Sequence, residues 1–267
     1  MGVLSPMSGA SKPNPPQGSV GAGWLGASVL SIQIPLLFIL AGLASLLGAI
    51  SLIFLRPEVL TTYHYNQYVI AITHLVVLGW IGSVVMGAMY QLVPVALETR
   101  LFSQKLAGIH FALHLVGFCG MVWMFWTWNM KQVGHFGSIL ALGVLLFVYN
   151  LFRTLLRVPR WNVVATAIAS TLIWLTLTVS VGLLVVAGKC SYNLVEAGGS
   201  VTWQAQLIGV VAAIGKWAAR FDQMGVMHAH AHIGVVGVFL MLIIGVSYRL
   251  IPMFTLSDIQ KPRRCGP

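Results

Sequence analysis

The chain has 267 residues, of which 7% are charged and 58% hydrophobic, and its mean hydropathy is +0.89. A soluble domain carries about 25% charged residues, so a water-soluble globular fold is excluded and the chain reads as an integral membrane protein. The formal charge of +10 comes from basic residues at the ends of apolar runs, where they orient helices against anionic headgroups. The lipid bilayer, and no nucleic acid, is the partner this composition implies.

Residues 1–24, rich in Pro, Gly and Ser, read as a flexible cytoplasmic tail rather than a secretory signal. Six apolar runs follow, at about 28–55, 67–97, 106–130, 135–157, 162–188 and 226–254, each long enough for the roughly 20 residues of a membrane helix. Residues 25–257 are therefore expected to form one all-α, polytopic transmembrane bundle of six spans, followed by a basic tail over 258–267. In the long fifth connection, Trp203, Leu207, Ile208, Val211 and Ile214 recur at near-helical spacing, which predicts an interfacial helix over about 201–219 on the outer surface.

Six spans put both termini on one side. That side carries ten basic residues (Lys12, Arg100, Lys105, Arg153, Arg157, Arg160, Arg249, Lys261, Arg263 and Arg264) against five on the other (Arg56, Lys131, Lys189, Lys216 and Arg220). The positive-inside bias makes it the cytoplasmic side. Arg153, Arg157 and Arg160 are read as topology signals, and Trp123, Trp126 and Trp128 as an interface belt. Cys119, Cys190 and Cys265 are scattered without a CxxC pair, which supports neither a disulfide framework, a zinc ribbon nor a covalent c-type heme.

An internal repeat locates the candidate chemistry. The second span reads HLVVLGWIGSVVMGAMYQLVP from His74 and the sixth reads HIGVVGVFLMLIIGVSYRLIP from His232. Aligned on these histidines, they match at His74/His232, Gly79/Gly237, Gly87/Gly245, Tyr90/Tyr248, Leu92/Leu250 and Pro94/Pro252. At about 100° per residue the Gly, Tyr and Pro positions share a face opposite the histidine. Glycines on such a face let helices approach closely, so that face is expected to pack and the histidine face to hold something else.

Ionisable groups inside a span are expensive and mark function. All five carboxylates, Glu58, Glu98, Glu196, Asp222 and Asp258, fall at span ends or in loops, whereas histidines enter the spans. Neutral imidazole is a ligand for heme iron and for copper. His74 and His232, at matched depth on two helices, suit the axial positions of one heme. In the run MHAHAH, His228 and His232 share a helix face and could instead chelate copper with His74, with His230 pointing the other way. His110 and His114 on the third span are candidates for a second site or for helix–helix hydrogen bonds, and His64 and His135 for headgroup contact. Asp222 is a candidate partner for a ligand's second ring nitrogen. A structural assembly subunit whose histidines bind no cofactor is the third alternative.

The phrases THLVVLGW, GAMYQLVP, HAHIGVVG and GVSYRLIP resemble spans of the catalytic subunit (subunit I) of the heme–copper oxidases, including its nitric-oxide-related branches. The resemblance covers about residues 66–97 and 226–254 and is to about half of that subunit, whose helices repeat in arcs of four. It implies that His74 occupies the place of a ligand to a low-spin, b-type heme. It also implies an electron-transfer subunit of a respiratory or quinol-linked complex in a prokaryotic plasma membrane, with other membrane subunits and a cytochrome c or quinol donor as partners. The family's histidine signature for its copper site and an adjacent His-His pair are missing from the chain, and no carboxylate lies within a span. The resemblance therefore implies a non-pumping subunit of an oxidoreductase complex rather than a complete oxygen-reducing pump.

Overall fold

The structure, a computed structural model, describes residues 21–158, 161–194 and 203–256, with side chains over 32–158, 161–189 and 209–256. Residues 1–20 of the tail expected over 1–24, the basic tail 258–267, Lys12, Arg160, Glu196, Asp258, Lys261, Arg263, Arg264 and Cys265 lie outside the described residues, as do the side chains of Cys190, Trp203, Leu207 and Ile208, while residues 21–24 of that tail are the first turn of a helix.

The described chain is all-helical: α1 (Gly21–Leu55), α2 (Gln67–Ala96), α3 (Gln104–Trp126), α4 (Met130–Leu155), α5 (Val163–Leu194), α6 (Trp203–Ala218) and α7 (Gln223–Thr255). A short 3-10 turn, Pro57–Leu60, follows α1. Six of these helices, all but α6, are long and apolar enough to cross a membrane. Polar caps set where they start. Asn66, Ser103, Asn129, Asn162 and Asp222 each accept a hydrogen bond from a backbone N–H in the first turn that follows, satisfying donors that a helix start leaves orphaned.

The spans pack as a consecutive arc, α1 on α2, α2 on α3, α3 on α4, α4 on α5 and α5 on α7, with α6 also against α5. One buried cluster runs through it, from Phe38 of α1 through Tyr90 and Val93 of α2 and Phe147 and Leu151 of α4 to Ile168 and Leu172 of α5 and Leu242 of α7. Outward-facing Leu36, Leu40, Leu43, Leu47 and Phe54 of α1 are exposed, as a lipid-facing surface requires.

The glycine face of the repeat does pack. A Cβ on Gly79 or Gly87 would come within 2.7 Å of Ser45 Oγ or Phe38 Cβ on α1, and one on Gly237 within 2.8 Å of the Trp174 ring on α5. Only glycine permits α1 and α5 to lie this close to α2 and α7.

Both repeat helices also change pitch at the same place. In α2 the residues Leu75–Gly82 form a π-helical segment that starts directly after His74, and in α7 Ile233–Leu240 form one directly after His232. The α-helical turns resume at Ser83 and at Met241, so the backbone follows the same 158-residue offset as the histidines. π segments inside α-helices are rare and concentrate at functional sites.

Candidate cofactor site

His74 and His232 take up the same posture. Nδ1 of His74 lies 2.8 Å from the carbonyl oxygen of Ile70, and Nδ1 of His232 lies 2.8 Å from that of His228, each four residues back on its own helix. A carbonyl only accepts, so each ring carries its hydrogen on Nδ1 and its lone pair on Nε2. A backbone partner on one nitrogen is the usual way to orient a metal-binding imidazole. The other nitrogen is then the ligand. His74 is part-buried against the ring of Phe125, 4.7 Å away, while His232 is exposed. Both lie about 10 to 14 Å into their helices from the same end, at 1.5 Å per residue.

The second and sixth spans do not pack broadly on each other: α2 is held by α1 and α3, and α7 by α5. They are tied instead near their ends. Close to the last turns, Arg249 donates to Glu98 across 3.1 Å. Near the first turns, the ring of His64, in the loop before α2, lies 5.4 Å from that of His228. His230, also on α7, turns to α5: its Nδ1 bonds the carbonyl of Thr178 at 2.9 Å and its ring rests on Gly182. The helices that carry His74 and His232 are thus joined by side chains near both ends.

Of the residues named for the copper-chelate alternative, His228 has its ring 5.4 Å from that of His64, and among the described residues no group of three or more His, Cys, Asp and Glu is placed to hold a metal. Asp222 does not serve a histidine: its two carboxylate oxygens accept from Met224 N and Gly225 N, capping α7. The helix start was the stronger claim on it, and backbone carbonyls take the place expected for it. His135 is exposed on the first turn region of α4.

His110 and His114 lie elsewhere, at 0% and 1% exposure between α1, α2, α3 and α4. Nδ1 of His110 is 2.9 Å from the Tyr90 hydroxyl and Nε2 of His114 is 3.0 Å from Ser83 Oγ. Phe38, Phe118 and Phe147 pack on their rings. The sequence left this pair between a second site and helix–helix hydrogen bonds, and each ring makes one such bond from α3 to α2. The partners Tyr90 and Ser83 escaped sequence reasoning. Both lie on α2, one helix away from the histidines they bond.

Near the opposite face from Glu98, Trp126 lies 4.6 Å from the ring of Tyr68, with the Arg56 guanidinium 4.5 Å above Tyr68. Tyr65 packs edge-on to Trp128 and is hydrogen-bonded by Lys189. Aromatic rings and cations thus tie the first loop to the ends of α3 and α5, a pairing that suits a membrane–water boundary.

Residues 18–135 match the family Cytochrome C and Quinol oxidase polypeptide I. No curated protein and no solved structure matches the chain. The matched stretch carries α1, α2 and α3, and with them His74, His110 and His114, while His228, His230 and His232 lie beyond it. Over residues 18–135, then, this membrane protein is cytochrome c and quinol oxidase polypeptide I-like.

Proposed function

We propose that the chain is a heme-binding integral membrane subunit that transfers electrons within a respiratory or quinol-linked complex, with Nε2 of His74 and Nε2 of His232 as the axial ligands of one b-type heme. The observation that carries this reading is the shared posture of the two rings, each with Nδ1 on a backbone carbonyl and each at the start of a π-helical segment. The residues fit such a group: two imidazoles, each with Nδ1 on a backbone carbonyl, stand on helices that are tied near both ends and do not pack broadly on each other. A bound heme b supplies one-electron chemistry there. The protein's own contribution is orientation, through the carbonyls of Ile70 and His228, and exclusion of water, through Phe125 and the apolar walls of both spans.

Oxidase polypeptide I-like proteins work with other subunits, and this chain is read as doing so, in a prokaryotic plasma membrane with both termini cytoplasmic. A cytochrome c or a quinol is the donor class on this reading. The test is a reduced-minus-oxidised spectrum and a pyridine hemochrome assay on the purified protein in detergent. The expected result is one b-type heme per chain, lost in His74→Ala and in His232→Ala and retained in His135→Ala. A colourless protein, or bands unaltered in both ligand variants, would sink the assignment.

A further inference from the structure

Among the described residues, two histidines are buried in the bundle apart from His74 and His232. The rings of His110 and His114 are fully buried in an aromatic box, and each has one bonded nitrogen and one unpartnered one, Nε2 of His110 and Nδ1 of His114. Leaving a single polar group unpaired in a dry interior costs about 1–3 kcal/mol. Two of them on successive turns of one helix point to a small ligand between the rings.

The surrounding bonds fix what that ligand must offer. Ser83 Oγ gives its hydrogen to the carbonyl of Leu78, 3.3 Å away, so toward His114 it is the acceptor, and the hydrogen of His114 sits on Nε2. Nδ1 of His114 is then a lone pair. At the other ring, the buried Tyr90 hydroxyl lies 2.9 Å from His110 Nδ1 and donates its hydrogen there, which leaves the hydrogen of His110 on Nε2. The two unpartnered atoms are therefore one donor and one acceptor.

We propose that a single internal water molecule accepts from His110 Nε2–H and donates to His114 Nδ1. It closes one chain of hydrogen bonds, all running in the same sense, from Tyr90 through His110, the water, His114 and Ser83 to the Leu78 carbonyl. A bare metal cation would need lone pairs on both rings, and so would require His110 to change tautomer against Tyr90. Water meets the need for one acceptor and one donor without rearrangement. The chain joins α3 to the π-helical segment that follows His74. It ends on a peptide carbonyl, which does not take up protons readily, so the network positions helices and does not conduct.

The test uses the full chain in lipid nanodiscs with 15N-labelled histidine and solid-state NMR. Expected are Nε2–H tautomers at both His110 and His114, with magnetisation transfer from a slowly exchanging water to His110 Nε2–H. In Tyr90→Phe the tautomer preference at His110 is lost while the shifts of His114 Nε2 are retained. An Nδ1–H tautomer at either ring of the native protein, or no water contact at either ring, overturns the proposal. So does copper or zinc held at one per chain and lost in His110→Gln. None of these readouts depends on whether His74 and His232 bind heme.

Discussion

Asn150 ties α4 to the start of α3. Fully buried, it bonds both the N–H and the carbonyl of Ser103, the residue that caps α3. Asn150→Leu preserves much of the volume but leaves both backbone groups without a partner, at about 1–3 kcal/mol each where they stay dry. Thermal unfolding in detergent is expected to show a marked drop in midpoint, against no change for Ser138→Ala, whose exposed hydroxyl bonds only its own helix. An equal effect of the two would show that the Ser103 link contributes nothing. At this scale the sequence is informative about His74 and His232, because a histidine recurring at one place in two apolar runs is costly there unless it binds something. It is silent on their orientation, since the carbonyls that set it belong to Ile70 and His228, whose side chains play no part in those bonds. Tyr90 and Tyr248 show the same limit. They are equivalent in the repeat, yet Tyr90 is 4% exposed and bonded to His110 whereas Tyr248 is 61% exposed, because only α2 has a neighbour presenting a histidine there.

Among elements, the closest approach of a described glycine to a neighbouring helix's backbone lies between α3 and α4, where a Cβ on Gly117 would come within 2.7 Å of the Leu140 backbone. A backbone cannot step aside as a side-chain tip can. Gly117→Ala must therefore push the two helices apart, and overpacking of this kind costs about 1–3 kcal/mol. Gly209→Ala is the control, since a Cβ there meets nothing within 4 Å. Resistance to SDS-induced unfolding is expected to fall for the first variant only; loss in neither would mean that α3 and α4 are not in register as described. Hydropathy located the six spans because apolar length is what the bilayer demands, but the starts follow the caps. Hydropathy put the fourth span's start near residue 135, whereas α4 begins at Met130, directly after the capping Asn129. The π-helical turns could not be read at all, since Leu75–Gly82 and Ile233–Leu240 are as apolar as the α-helical turns beside them.

For the whole molecule, orientation decides from which membrane face His74 and His232 are reached. They enter from the end that carries the 56–66 loop, and the Glu98–Arg249 pair lies toward the other. The positive-inside count predicts that second end on the cytoplasmic side, because ten of the fifteen basic residues fall there. On the proposed reading an electron donor would then approach from outside, past His64 and the Arg56–Tyr68–Trp126 cluster. The prediction is best checked with single cysteines in a chain whose Cys119, Cys190 and Cys265 are replaced by Ser. Thr62→Cys, in the exposed first loop, should react with a membrane-impermeant maleimide on intact cells, and Gln104→Cys, at the exposed start of α3, only after the membrane is opened. The reverse pattern would turn the molecule over, bring the histidine end to the cytoplasmic face and require the donor to come from that side. Labelling of both positions on intact cells would contradict the odd number of crossings that a single α2 span places between them.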